Sequence, residues 1–157
     1  GVTRVYIGAK QHGQGEETTF AQIVADEFGI GIENVEIVAG DTETTPQGWG
    51  TYGSRTTAVS GSAVKIAALR VKAKAKKIAA HLLEAPEENL DWKDGRFVVR
   101  GSPDRAKSFG ELALMANLAW NMPVGTEPGL EATAFFDPPN FVYPFGTHLC
   151  VVEVEPA

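Results

Sequence analysis

Cysteine is nearly absent from the sequence: Cys150 stands alone among 157 residues. An internal disulfide is therefore excluded, and so is a cysteine-rich metal site. A lone thiol fits a reducing compartment, and a cytoplasmic location is expected. Basic charge is also short, with 14 Lys and Arg against 20 Asp and Glu and a net charge of -6. That balance lacks the basic footprint of a general nucleic-acid binder. No apolar run approaches the roughly 20 residues of a membrane span, so no transmembrane segment is expected. The three histidines, His12, His81 and His148, stand far apart without ligand spacing, and no metal site built from side chains is expected. There is no nucleophile elbow and no Ser-His-Asp order, and the carboxylates do not single out a general base. No catalytic residue is assigned.

What is present suits one folded domain. A hydrophobic content of 43% with 22% charged residues is ordinary for a globular chain that buries a substantial core. Val5 and Ile7 alternate with polar residues over Thr3 to Ala9, which predicts a strand. Phe20, Ile23, Val24 and Phe28 fall at helical spacing, and Gly29 follows as a stop. Val35 to Val38 predicts a second strand. From Arg55 to Leu83 a long helix carries the stripe Val59, Ala63, Ala67, Val71, Ala75, Ile78 and Leu82. The lysines on its flanks read as a solvated surface. LDWKDGRFVVRG predicts a hairpin turning at Asp94-Gly95, and SFGELALMANL a shorter helix capped by Ser108 with Glu111. GLEATAFFD and THLCVVEVE alternate as two further strands. The order predicts an α+β fold, with a mixed sheet, one long helix and one or two shorter ones. The chain enters a strand almost at once and stops on another, so residues 1–157 are expected to be a single fragment of a larger domain, cut at both ends.

Two glycine-rich turns each open a helix: HGQGEET the first, GWGTYGSR the second. Glycine admits positive φ and close approach of a ligand, and a helix N-terminus adds free N–H groups and positive dipole charge. One such turn is ordinary punctuation. Two together, with Gln14, Thr18, Ser54 and Arg55 beside them, favour ligand binding. Neither is a nucleotide signature by itself: Thr18 stands where the dinucleotide fingerprint needs its third glycine, and no GK[ST] follows either loop. Glu16 and Glu17 oppose a phosphate at the first turn unless they point away or serve only the helix dipole.

GQGEETTFAQIVADEFGI and VEIVAGDTETTPQGWGTYGSRTTAVSGSAV together resemble the molybdenum-cofactor-binding domain of the xanthine dehydrogenase and aldehyde oxidase family. GLEATAFFDPPNFVYPFGTHLCVVEVEP narrows the similarity to large subunits of the aerobic carbon monoxide dehydrogenase type. The resemblance implies that both turns hold a molybdopterin dinucleotide, in the cytosine form usual for bacterial members, with molybdenum. Gly13, Gln14, Gly15 and Glu16 match the first turn, with Gln14 near the oxo ligands of the metal. Thr51, Gly53, Ser54, Arg55, Thr56 and Thr57 match the second, where a small residue at Gly53 leaves room for the metal centre. Glu16 departs from the family, which often has His there.

The resemblance further implies a parent enzyme that oxidises CO or hydroxylates an organic substrate with water. Its partners would be the remainder of the large subunit, an iron–sulfur subunit and a flavin (FAD) subunit. It puts the substrate loop, with its copper-bound cysteine in true carbon monoxide dehydrogenases, ahead of residue 1. The hydroxylase glutamate would come after residue 157. Cys150 is therefore not the copper ligand, and the fragment by itself is expected to be inactive. The alternative is a free-standing module that binds a nucleotide or another anion without catalysis.

Overall fold

The computed structural model describes residues 1–45 and 47–156. Strand β1 (Thr3–Ile7) lies parallel to β2 (Val35–Ala39), from Thr3 opposite Val35 to Ile7 opposite Ala39. Parallel neighbours need a crossover, and helix α1 (Glu16–Phe28) supplies it. The helix stops at Gly29, left-handed at φ 58, whose N–H donates to the Ala25 carbonyl. Its inner face is Phe20, Val24 and Phe28, all buried.

The long helix is present but opens irregularly. Its first turn, Thr57–Gly61, is π-helical, and regular helix α2 runs over Ser62–Leu82. The buried positions are Val64, Ala68, Ala75, Ile78 and Ala79, whereas Ala63 and Ala67 of the expected stripe are only half-buried. The reason is geometric: a strict spacing of four drifts by about 40° per step, so a straight helix buries alternating steps of three and four.

Strands β3 (Leu90–Lys93), β4 (Arg96–Val99) and β5 (Ser102–Ser108) form a separate antiparallel sheet. Asp94 and Gly95 turn the first hairpin with φ 49 and 71, as a primed turn requires. β5 is an addition to the sequence reading. Pro103, Asp104, Arg105 and Lys107 give it no apolar face, and such residues suit a sheet edge. Helix α3 (Phe109–Leu118) begins with the expected capping box. Ser108 Oγ accepts from the Glu111 N–H, and Glu111 Oε2 accepts from the Ser108 N–H. The fold is thus α+β, with parallel and antiparallel pairing divided between two sheets.

Residues 129–156 form neither helix nor strand, which corrects the two strands expected there. Alternation creates a strand only where one face has something to cover it. Leu149, Val151, Val152 and Val154 are each more than three-quarters exposed. No helix among the described residues is long and apolar enough to cross a membrane.

One core joins the elements: Phe20 and Phe28 from α1, Ile78 from α2, Leu112 and Ala116 from α3, and Phe97 from β4. Phe28 stacks on Phe109 with ring centroids 4.3 Å apart. At its margin, buried Glu27 of α1 pairs with Lys65 and Lys72 of α2, and Lys72 also lies 4.6 Å from the Trp92 ring centre. Two of the lysines expected to be merely solvated therefore tie the helices together. Burial pushes the Glu27 carboxyl up, but hydrogen bonds and charge from Lys65 and Lys72 outweigh it and leave the pKa below its usual value. A carboxyl depressed by folding adds stability above its unfolded pKa and loses it as the pH falls through the folded one. Lys72→Met is expected to lower Tm at pH 7 by about 2–4 °C. The gap should narrow as the pH falls through and below the usual carboxylate range, where Glu27 with its depressed pKa finally protonates. Thermal unfolding across pH checks this; a gap that stays constant would mean that the ion pair is idle.

Candidate functional site

The two glycine turns, far apart in sequence, meet at the carboxyl ends of the parallel strands, where open α/β sheets usually place ligands. Gly8 directly follows β1 and packs backbone-to-backbone on Gly48. A Cβ on Gly8 would lie 2.4 Å from the Gln47 carbonyl oxygen, and one on Gly48 2.3 Å from the Gly8 oxygen. Only glycine permits that approach. The Gly50 N–H donates to the Gly8 carbonyl at 3.2 Å. Gly48 opens the second glycine turn that the sequence singles out, whereas Gly8 does not stand out in the sequence. The available signal was a glycine at the very end of a parallel strand.

Side chains extend the junction. The Lys10 N–H donates to Thr51 Oγ1 at 3.3 Å, and Thr51 Oγ1 donates to Glu16 Oε1 at 3.4 Å. Gln14 Nε2 donates to the same Glu16 oxygen at 2.9 Å, while Gln14 Oε1 accepts from the His12 N–H. Glu16, the first residue of α1, is 4% exposed, and its Oε2 is buried without a partner among the described residues. It does more than offset the dipole, because it joins the two turns. Glu17 remains exposed and accepts from Gln11.

Gly15 is the N-cap of α1, left-handed at φ 81, and no side chain caps the helix. Its first-turn N–H groups therefore remain available to a ligand. Open space surrounds Gly13 and Gly15 where a Cβ would stand. In the second turn Gly53 and Ser54 are left-handed in succession, at φ 66 and 54. The Arg55 guanidinium lies 5.9 Å from the Tyr52 ring centre, within reach of a weak cation–π contact. Thr56 and Thr57 enter the π turn, again without a side-chain cap.

The structure thus brings Gln14, Glu16 and Thr51 into direct contact, with Gly13 and Gly15 on the same turn. Gly53, Ser54, Arg55, Thr56 and Thr57 continue from Thr51 towards α2. Among the described residues no side-chain hydrogen bond ties these last five to the first turn. Chemically the junction offers backbone donors, hydroxyls, one exposed amide and a guanidinium, a set suited to hydrogen-bonding an anionic, oxygen-rich ligand. No group of three or more His, Cys, Asp or Glu suited to a metal ion occurs among the described residues.

Residues 1–157 match the family described as the molybdopterin cofactor-binding domain. The sequence is 50% identical over 155 residues to the carbon monoxide dehydrogenase large chain of Hydrogenophaga pseudoflava, covering 96% of this chain and 19% of that one. It is 47% identical over 150 residues to the corresponding chain of Afipia carboxidovorans, covering 95% and 18%. The fold is similar to that of a reconstituted CO dehydrogenase from Oligotropha carboxidovorans, with a TM-score of 0.85 at 47% identity over 91% of this chain and 18% of that one. The chain spans about a fifth of the length of these curated relatives.

Proposed function

Because the chain belongs to the molybdopterin cofactor-binding domain family, we propose that its two joined turns hold part of a molybdopterin dinucleotide, in the cytosine form. In this reading residues 1–157 are one unit of the molybdenum-binding subunit of a cytoplasmic oxidoreductase of the carbon monoxide dehydrogenase type. The whole enzyme oxidises CO or hydroxylates an organic substrate, with iron–sulfur and FAD-bearing partner subunits taking the electrons. The observation that carries the reading is that Gly48 packs on Gly8, where β1 leads into the first turn, while Thr51 meets Glu16 of that turn, which makes one cradle of two turns.

The residues fit the cofactor. The uncapped start of α1 offers N–H donors to phosphate oxygens, and the hydroxyls of Ser54, Thr56 and Thr57 offer O–H donors. Arg55 adds the positive charge that a pyrophosphate needs. Gln14 presents an amide, and Gly13 and Gly15 leave the backbone open to close approach. When bound, the cofactor supplies the two-electron oxidation–reduction chemistry, while the protein supplies binding and orientation.

The first test is molybdenum and released nucleotide, per chain, in the full-length protein from its own source. Near-stoichiometric molybdenum with a cytidine nucleotide supports the reading. A well-folded protein with neither moves the assignment to a nucleotide- or anion-binding module. Gly53→Val in that protein is expected to reduce molybdenum at least tenfold. The branched side chain is strained at φ 66 and presses on the Arg55 side chain, whose Nε would lie 3.5 Å from the new Cβ. The loop is exposed, so global folding by circular dichroism should persist. Normal molybdenum in this variant would remove Gly53 from the site.

A further inference from the structure

The segment that follows α3 is tied along α2 and reaches the π turn. The Gly129 N–H donates to the Ala116 carbonyl of α3 at 2.8 Å, and beside it Lys74 Nζ donates to the Pro128 carbonyl at 3.4 Å. Arg70 Nη1 donates to the Thr133 carbonyl at 2.6 Å. Phe136 then lines a cleft with Ile23 of α1, Thr57 and Gly61 of the π turn, and Ser62 and Ile66 of α2. Lys74, Arg70, Ile66 and Ser62 succeed one another at steps of four, so they lie along one side of the helix. The segment therefore runs antiparallel to α2, from its middle to its head. From Leu130 to Pro138 the even-numbered residues are half-buried and the odd-numbered ones between them exposed. The alternation that suggested a strand is one face turned to the body of the domain.

A π turn is a rare interruption of a helix. This one has no side-chain cap, and its buried residue, Gly61, brings no side chain to the packing. From inside it rests on Ile23 and Phe20, whose nearest atoms would stand 3.4 and 3.6 Å from a Cβ on Gly61. From the other side the segment after α3 brings up Phe136. We infer that Phe136 is a positioning residue: strapped along α2 by Arg70 and Lys74, it holds the π turn, and through it residues 51–57, in place for the cofactor. Thr57 lines the cleft and is also one of the proposed cofactor residues, so a change at Phe136 reaches the site through one intermediary. The role towards the cofactor rests on the molybdopterin reading above.

The test uses the full-length protein and two readouts. The first is amide hydrogen exchange in protein produced by cells that make no molybdopterin, so that loss of the ligand does not itself loosen the turn. The second is molybdenum and nucleotide content of the same variants from cofactor-producing cells. Phe136→Ala is expected to speed exchange at residues 51–61 at least tenfold while the body of α2 exchanges as before. Its molybdenum and nucleotide should fall at least threefold. Phe136→Leu should keep both near wild type, because apolar bulk is what the cleft requires. Arg70→Met, which unties Thr133, should reproduce the changes in smaller measure and does not alter the cleft. Unchanged exchange at residues 51–61 overturns the inference, and so does full cofactor content once that exchange has risen. Faster exchange spread evenly over α1 and α2 also overturns it, by making Phe136 an ordinary packing residue. A wild-type protein without molybdenum or nucleotide would instead defeat the underlying reading, while exchange at residues 51–61 would still report whether Phe136 holds the turn.

Discussion

Gly48→Ala is expected to strip the full-length protein of at least nine-tenths of its molybdenum and nucleotide while leaving it folded. The added Cβ would meet the Gly8 oxygen at 2.3 Å and its Cα at 2.5 Å. Both are backbone atoms, so no rotamer change relieves the clash and the turns must part. The Gly50 N–H to Gly8 carbonyl bond opens with them. Overpacking of this kind costs about 1–3 kcal/mol, an amount a domain tolerates. The site tolerates it less well, because displacements of about 1 Å already degrade a positioned constellation severely. Gly110→Ala is the control: it lies in α3 with nothing within 4 Å of the new Cβ, and should leave molybdenum unchanged. Metal analysis with a thermal melt decides. Unaltered molybdenum and Tm in Gly48→Ala would mean that the two turns do not depend on this contact.

Phe20→Ala should produce the largest loss of stability. The side chain is 1% exposed, and its Cε1 would lie 3.6 Å from a Cβ placed on Gly61. It therefore fills the space between α1 and the π turn at the head of α2. Truncating a buried phenylalanine costs about 3–5 kcal/mol through lost transfer energy and the remaining cavity. In a domain of this size that corresponds to a fall in Tm on the order of 10 °C. Cofactor should be lost as well, since Thr57 and the turn before it lose their support. Ile23→Val, at the half-buried edge of the same contact, should cost about 0.5–1.5 kcal/mol and spare the cofactor. A small shift in Phe20→Ala would mean that the helices close over the gap.

Much of this was legible from local chemistry. The Ser108–Glu111 capping box, the Asp94-Gly95 hairpin and the Gly29 stop each depend on a few neighbouring residues, and each formed as the sequence predicts. The glycine turns were visible as candidates for the same reason. Their union was not, because Gly8 and Gly48 are brought together by the β1–β2 pairing and nothing local marks them as partners. Glu16 was readable as a first-turn acid but not as buried, since the contact with Thr51 comes from a distant part of the sequence. Thr3 to Ala9 alternates and forms a strand because β2 lies alongside; Thr147 to Glu155 alternates and does not, for want of a neighbour. The lysines of α2 misled in the other direction, because a long aliphatic stem lets Lys72 cover Trp92 while its ammonium reaches Glu27.

The π turn at Thr57–Gly61 has a consequence for chain length. Such a turn accommodates one residue more than an α-helical path over the same rise. The chain therefore carries, between the second glycine turn and its core-facing helix, a place where a one-residue insertion is already absorbed. Removing one residue there would restore plain helix and swing the loop about the axis without disturbing Val64 or Ala68. A one-residue change in length at this turn would alter the aim of the loop, while the helix behind it would keep its place in the core.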